Sequence, residues 1–81
     1  MPTKTEIETL WRGVFLRGDE TEFHTAYSSE VNAIEGVHAR MRRGGYIRAV
    51  VNKVERPIGG WGDERIVETR YFDLEGKEIT Q

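Results

Sequence analysis

The sequence predicts an α+β domain in which three short helices precede a β-hairpin or a three-stranded meander. Two observations predict this order. Apolar residues recur at helical spacing through the first half of the chain, and the second half is rich in β-branched and aromatic residues separated by glycine-containing turns. The chain has 81 residues, which is enough for one hydrophobic core, so we expect a single domain over residues 1–81.

The first predicted helix follows a capping-box pattern, in which Thr3 precedes Glu6 by three positions. Its apolar stripe consists of Ile7, Leu10, Trp11, Val14 and Phe15. Gly13 lies inside this stripe and disfavours a helix by up to about 1 kcal/mol relative to alanine. A strand over residues 10–17 is therefore the alternative, and residues 9–17 stay open between helix and strand.

A second cap pattern, Asp19 followed by Glu22, predicts a short second helix. Phe23, Ala26 and Tyr27 would share one of its faces. The two serines that follow, at positions 28 and 29, interrupt this helix and can cap the next one.

The third predicted helix runs over residues 30–43. Its apolar side consists of Val31, Ile34, Val37 and Met41. The arginines in its last turn suit the negative end of the helix dipole, and Gly44 with Gly45 predicts its end.

The remaining chain reads as β structure. Residues 46–55 and 65–72 have the composition of strands, and residues 57–63 form the long turn of a hairpin. Residues 73–76 have a tight-turn signature, after which residues 77–79 can add a short third strand.

The charge of the chain is strongly segregated. The net charge is −2, yet residues 38–56 contain six basic side chains and one acidic side chain. This block predicts an anionic partner for the middle of the chain. The alternative is a solvated face whose arginines pair with the acidic flanks.

The composition points away from catalysis and from export. The chain has no cysteine, which excludes disulfides and thiolate metal sites and suits a reducing cytosol. His24 and His38 fall on different predicted elements, and no catalytic or metal-binding spacing is present. We therefore predict no catalytic residues, no metal and no cofactor. The N-terminus lacks the apolar stretch of a signal peptide and no apolar run is long enough to span a bilayer, so we expect a soluble, cytoplasmic protein with no membrane partner.

The side of the third helix opposite its apolar stripe carries small and basic residues: Asn32, Ala33, Gly36, Ala39, Arg40 and Arg43. Small residues let another surface approach the backbone, and asparagine and arginine suit contacts to bases and phosphates. Packing of Gly36 and Ala39 under a neighbouring element is the alternative.

The order of elements resembles a winged-helix DNA-binding domain. The resemblance rests on the step Arg42-Arg43-Gly44-Gly45-Tyr46-Ile47-Arg48, on the glycine-rich hairpin, and on Tyr71-Phe72-Asp73-Leu74-Glu75-Gly76. It implies that the third helix is a recognition helix whose residues Asn32, Gly36, Ala39, Arg40 and Arg43 face the major groove. It also implies that Arg48, Lys53 and Arg56 lie on the wing and meet the DNA backbone or minor groove.

The sequence therefore predicts a small, non-enzymatic regulator that binds nucleic acid through its third helix and wing. The alternative is a protein-interaction or inhibitor module whose basic centre and Trp61 loop bind an acidic partner protein. The candidate contact residues are Asn32, Gly36, Ala39, Arg40, Arg42, Arg43, Arg48, Lys53, Arg56 and Trp61. Because a domain of this size buries a modest share of its surface, a homodimer is a further expectation.

Overall fold

The computed structural model of the chain describes residues 7–58 and 64–79, which form one antiparallel sheet and one helix that lies on it. The elements are β1 (Ile7–Leu16), β2 (Glu22–Tyr27), α1 (Glu30–Arg43), β3 (Arg48–Pro57), β4 (Arg65–Phe72) and β5 (Glu78–Ile79). The strand order across the sheet is β2-β1-β3-β4-β5. Strands β2 and β3 both pair antiparallel with β1, so they run in the same direction and α1 makes the crossover between them.

The prediction of three helices is wrong, because the first two predicted helices are strands β1 and β2. The alternative of a strand over residues 10–17 is the correct one for the first segment. Strand β1 lies between β2 and β3 and has apolar side chains on both faces, with Phe15 and Leu10 both buried. A strand with apolar side chains on both faces lacks a strict alternation of apolar and polar residues, so its apolar residues also matched helical spacing.

Half-buried and exposed residues alternate along strand β2, because only one of its faces packs against the core. Phe23 and Tyr27 point to the helix-covered face, and His24 between them is exposed. Asp19 does not cap a helix. Its carboxylate accepts hydrogen bonds from Thr21 N at 3.0 Å and Thr21 Oγ at 2.6 Å, which closes the turn between β1 and β2.

The third predicted helix is present with the predicted bounds. Ser29 is its N-cap, and the Ser29 Oγ accepts a hydrogen bond from Asn32 N at 3.1 Å. The helix ends at Gly44, whose φ of 85° is a conformation that favours glycine. The predicted hairpin strands correspond to β3 and β4, and the predicted short third strand is β5.

The core lies between α1 and the sheet. Its buried members come from the helix and from three central strands: Phe15, Ala33, Val37, Met41, Ala49, Val51 and Phe72. The helix is rotated relative to the predicted apolar stripe, since Ala33 is fully buried whereas Val31 is 66% exposed. The contact line therefore follows Ala33, Val37 and Met41, spaced four residues apart.

Candidate functional site

The fold places the predicted basic residues at two opposite ends of the sheet. In the pairing of β1 with β3, Arg48 lies opposite Leu16 and Arg56 lies opposite Glu8. Eight positions along a strand correspond to about 27 Å. Arg48 and Arg56 therefore lie at opposite ends of β3 and are not neighbours on the surface.

Five arginines lie at the end of the fold where β1 and α1 end and β3 begins. We call this group the basic end; it consists of Arg17, Arg40, Arg42, Arg43 and Arg48. Arg40 lies over Phe23 on the β2 side, and Arg42 lines a cleft beside the β4–β5 turn. Gly44 and Gly45 have φ values of 85° and 96° and turn the chain from the helix toward the sheet. Ile47 N then donates a hydrogen bond to the Leu16 carbonyl oxygen at 2.8 Å, which ties the start of β3 to the end of β1.

The basic end keeps its charge, because none of its guanidinium groups forms an ion pair with a carboxylate in the described parts of the chain. The other arginines do form such pairs. Arg12 contacts Glu64 at 2.9 Å, Arg56 contacts Glu8 at 3.4 Å, and Arg65 contacts Glu55 at 3.8 Å.

Arg70 is the most enclosed of the paired arginines. It contacts Glu30 on α1 and Glu78 on β5. Its partial burial lowers the pKa of Arg70, but the negative charges of Glu78 and Glu30 outweigh this effect, and the pKa is raised overall. These carboxylates therefore hold Arg70 within the structure and do not neutralise the basic end.

Aromatic rings orient two arginines of the basic end. The Arg40 guanidinium carbon lies 4.4 Å from the Phe23 ring centroid and 5.4 Å from that of Phe15. The Arg17 guanidinium carbon lies 5.6 Å from the Tyr46 ring centroid. A guanidinium that stacks through its flat face retains the N–H groups at its edge for hydrogen bonds to an anion.

Two acidic residues, Asp19 and Glu20, lie in the β1–β2 turn next to Arg17. The side-chain hydrogen bond from Thr21 lowers the pKa of Asp19, and the Thr21 backbone N–H and the charge of Arg17 lower it further. Asp19 is thus ionised at neutral pH and faces its own turn. Glu22 also lies at this end, opposite Leu16 on β1. Five positive and three negative charges still leave the basic end positive overall.

The predicted recognition face of α1 is not one surface. Asn32 lies in the first turn, where its Nδ2 donates to Ser28 Oγ at 3.1 Å, about 16 Å along the helix from Arg43. Gly36 faces the ring of Tyr27, so this position packs against the sheet. Ala39 is exposed and lies beside the basic end.

The predicted wing residues are also separated. The Lys53 ammonium lies 5.9 Å from the Trp11 ring centroid, and Arg56 is held by Glu8 and Glu64 at the far end of the sheet. Trp61 lies outside the described residues. Arg17 was not among the predicted contact residues, because its position follows from β1 being a strand that ends beside the start of β3.

A cleft of about 510 Å³ lies between α1 and the β4–β5 turn. It is lined by His38, Met41, Arg42, Leu74, Glu75, Gly76 and Lys77. Arg42 extends the basic end to this cleft. Over residues 7–58 and 64–79, no group of three histidine, aspartate or glutamate side chains could hold a metal ion. Within the same ranges, α1 is too short and too polar to cross a membrane.

No match was found for this chain among protein-family models, curated proteins or solved structures. The arrangement of its own side chains is therefore the basis for assigning a function.

Proposed function

We propose that this protein binds nucleic acid, with the basic end contacting the phosphate backbone, and that this role is non-enzymatic. The observation that carries the proposal is the unequal distribution of ion pairs. Arginines elsewhere in the described sheet contact carboxylates, whereas the five at the basic end do not. Clustered arginines without carboxylate partners are the electrostatic footprint of a phosphate-binding surface.

The arrangement favours backbone contacts over reading of bases. Arg42, Arg43 and Arg48 are exposed on the surface, while the rings beneath Arg40 and Arg17 limit how far those two side chains can reach. Phosphate contacts position a protein on nucleic acid but carry no sequence information directly. The acidic remainder of the chain would repel phosphates, so it would restrict binding to this end of the molecule.

The salt dependence of binding tests this proposal. If all five arginines neutralise phosphates of a duplex, log K should fall with log salt at a slope of about −4.5. Affinity for a random duplex should then drop roughly 500-fold between about 50 and 200 mM salt. Fluorescence anisotropy of a labelled duplex and of a labelled single strand measures this slope directly.

Arginine-to-glutamine substitutions locate the contact. Arg43→Gln and Arg48→Gln should each weaken binding and reduce the magnitude of the slope by about 1. Arg65→Gln is the matched control, because it removes the same charge from an exposed position on β4 whose ion pair with Glu55 is long, at 3.8 Å. Equal losses for Arg65→Gln and Arg43→Gln would contradict a localised site.

An acidic protein surface would meet the same guanidinium groups. If neither duplex nor single strand binds at low salt, nucleic-acid binding is refuted. The interaction or inhibitor module that binds an acidic partner protein is then the function to test next.

A further inference from the structure

Strand β2 is an edge strand with few of the features that prevent edge-to-edge association. In the described sheet it has a neighbour, β1, on one side only. Its six residues contain no proline and no lysine, and its register with β1 has no bulge. Natural edge strands are usually protected by such features. On the other side of the sheet, β5 pairs only with Tyr71 and Phe72, so residues 65–70 of β4 are also open; that edge is protected by Arg65, Glu68 and Arg70 and by a register shift in its pairing with β3.

The hydrogen bonds of the β1–β2 turn show which backbone groups of β2 point outward. Arg17 N donates to the Thr21 carbonyl oxygen at 2.9 Å, and Phe15 pairs with Phe23 two positions further on. Hydrogen-bonded and non-hydrogen-bonded residue pairs alternate along an antiparallel ladder. The backbone N–H and C=O groups of the odd-numbered residues of β2 therefore form hydrogen bonds to β1. The N–H and C=O groups of Glu22, His24 and Ala26 therefore face away from the sheet.

We propose that two copies of this chain associate through antiparallel pairing of their β2 strands, with Thr25 on the two-fold axis. The two sheets then join into one continuous sheet. The outward groups of His24 exchange two backbone hydrogen bonds with those of Ala26 of the second copy, and the two-fold axis repeats this pair. The proposal does not depend on nucleic-acid binding.

The side chains favour this register over its neighbour. Residues that oppose each other must lie on the same face, so the axis passes through a residue position and not between two residues. With the axis at Thr25, Phe23 lies opposite Tyr27 of the second copy and threonine lies opposite threonine. Both are favourable cross-strand pairs, and both fall at the sites where opposed Cα atoms are about 4.5 Å apart.

The neighbouring register places the axis at His24. It brings the two imidazoles opposite each other and pairs Phe23 with Thr25, so it loses the aromatic pairs. In the Thr25 register, the half-buried rings of Phe23 and Tyr27 would also be covered further on the helix-bearing face. These differences select the Thr25 register. The argument for a second copy as the occupant is that β2 is complementary to itself in this register, with Phe23 opposite Tyr27 on both sides of the axis.

Cysteine cross-linking tests the register, and the chain has no cysteine of its own. Thr25→Cys should give a disulfide-linked dimer under mild oxidation, because the two Cα atoms would lie within the range of a disulfide. His24→Cys is the control, since its thiols would be displaced by two positions and should not cross-link. Efficient cross-linking of His24→Cys, and not of Thr25→Cys, would overturn the Thr25 register.

Charged substitutions on β2 test the association. His24 and Ala26 are both exposed, so substitutions at these positions should leave the fold intact. The H24K/A26K and H24E/A26E variants should each be monomeric by sedimentation, since like charges oppose each other across the axis. A mixture of the two should restore a one-to-one dimer. A monomeric unsubstituted chain at tens of micromolar, or a dimer that persists in both variants, would overturn the proposal.

Discussion

Replacing Gly36 with alanine should destabilise the domain, although alanine is the better helix former. Gly36 lies in the middle of α1, and a methyl group added there would lie 2.5 Å from Cε1 and Cζ of Tyr27. Carbon atoms do not approach each other this closely, so either the tyrosine ring or the helix must move. The ring cannot move freely, because it also lies close to Gly13 of β1.

The expected loss is the difference between two opposing effects. Alanine should gain about 1 kcal/mol over glycine in a helix interior. Overpacking of a close contact costs about 1–3 kcal/mol. The net change is thus a loss of about 0–2 kcal/mol, and its middle value corresponds to a decrease in Tm of about 4–8 °C for a domain of this size.

Thermal unfolding followed by circular dichroism at low protein concentration measures this change. Ala39→Gly on the exposed side of α1 calibrates the propensity effect and should cost about 1 kcal/mol. In a Tyr27→Ala background the contact is absent, so Gly36→Ala should then stabilise the domain. An increase in Tm from Gly36→Ala in the otherwise unchanged chain would refute the packing of Tyr27 on Gly36.

Four further substitutions test the cap, the turn and the orientation of the helix. Ser29→Ala should cost about 1 kcal/mol in urea unfolding, because it removes the N-cap hydrogen bond to the backbone of α1. In an NMR titration, the pKa of Asp19 should lie below its ordinary value of 3.8, and Thr21→Val should raise it because the hydroxyl donor is removed. The stability that Asp19 contributes is present above its unfolded pKa, and it is lost as the pH falls through the lowered folded pKa. Met41→Ala should cost about 2–5 kcal/mol, whereas Val31→Ala should stay within about 0.5 kcal/mol, and equal effects would contradict the observed rotation of α1.

Local signals in the sequence predicted the helix and the hairpin well. Ser29, the helical spacing up to Met41 and Gly44 act within a few residues of the helix, so its bounds followed from them. The spacing of apolar residues gave the wrong prediction for β1, because these residues lie on both faces of a central strand. Only pairing with the distant strand β3 distinguishes this case from an amphipathic helix.

Four members of the basic end were named from the sequence, but where they lie in the fold was not predicted. The excess of arginine after position 38 was evident, and Arg40, Arg42, Arg43 and Arg48 do lie at one end of the fold. Arg56 lies at the other end because β3 is an extended ten-residue strand. The close approach of Gly36 to Tyr27 joins two different elements, and such a contact leaves no pattern in the sequence.

The position of β1 between β2 and β3 also determines how the chain must fold. The β1–β2 and β3–β4 hairpins join neighbouring segments and can form within microseconds. The central ladder instead joins distant parts of the chain, since the facing residues Glu8 and Arg56 are 48 positions apart. Closing so long a loop is slow, and we expect folding in milliseconds to seconds. Until β1 docks on β3, each hairpin exposes a central strand with an open edge, so refolding yield should fall as protein concentration rises.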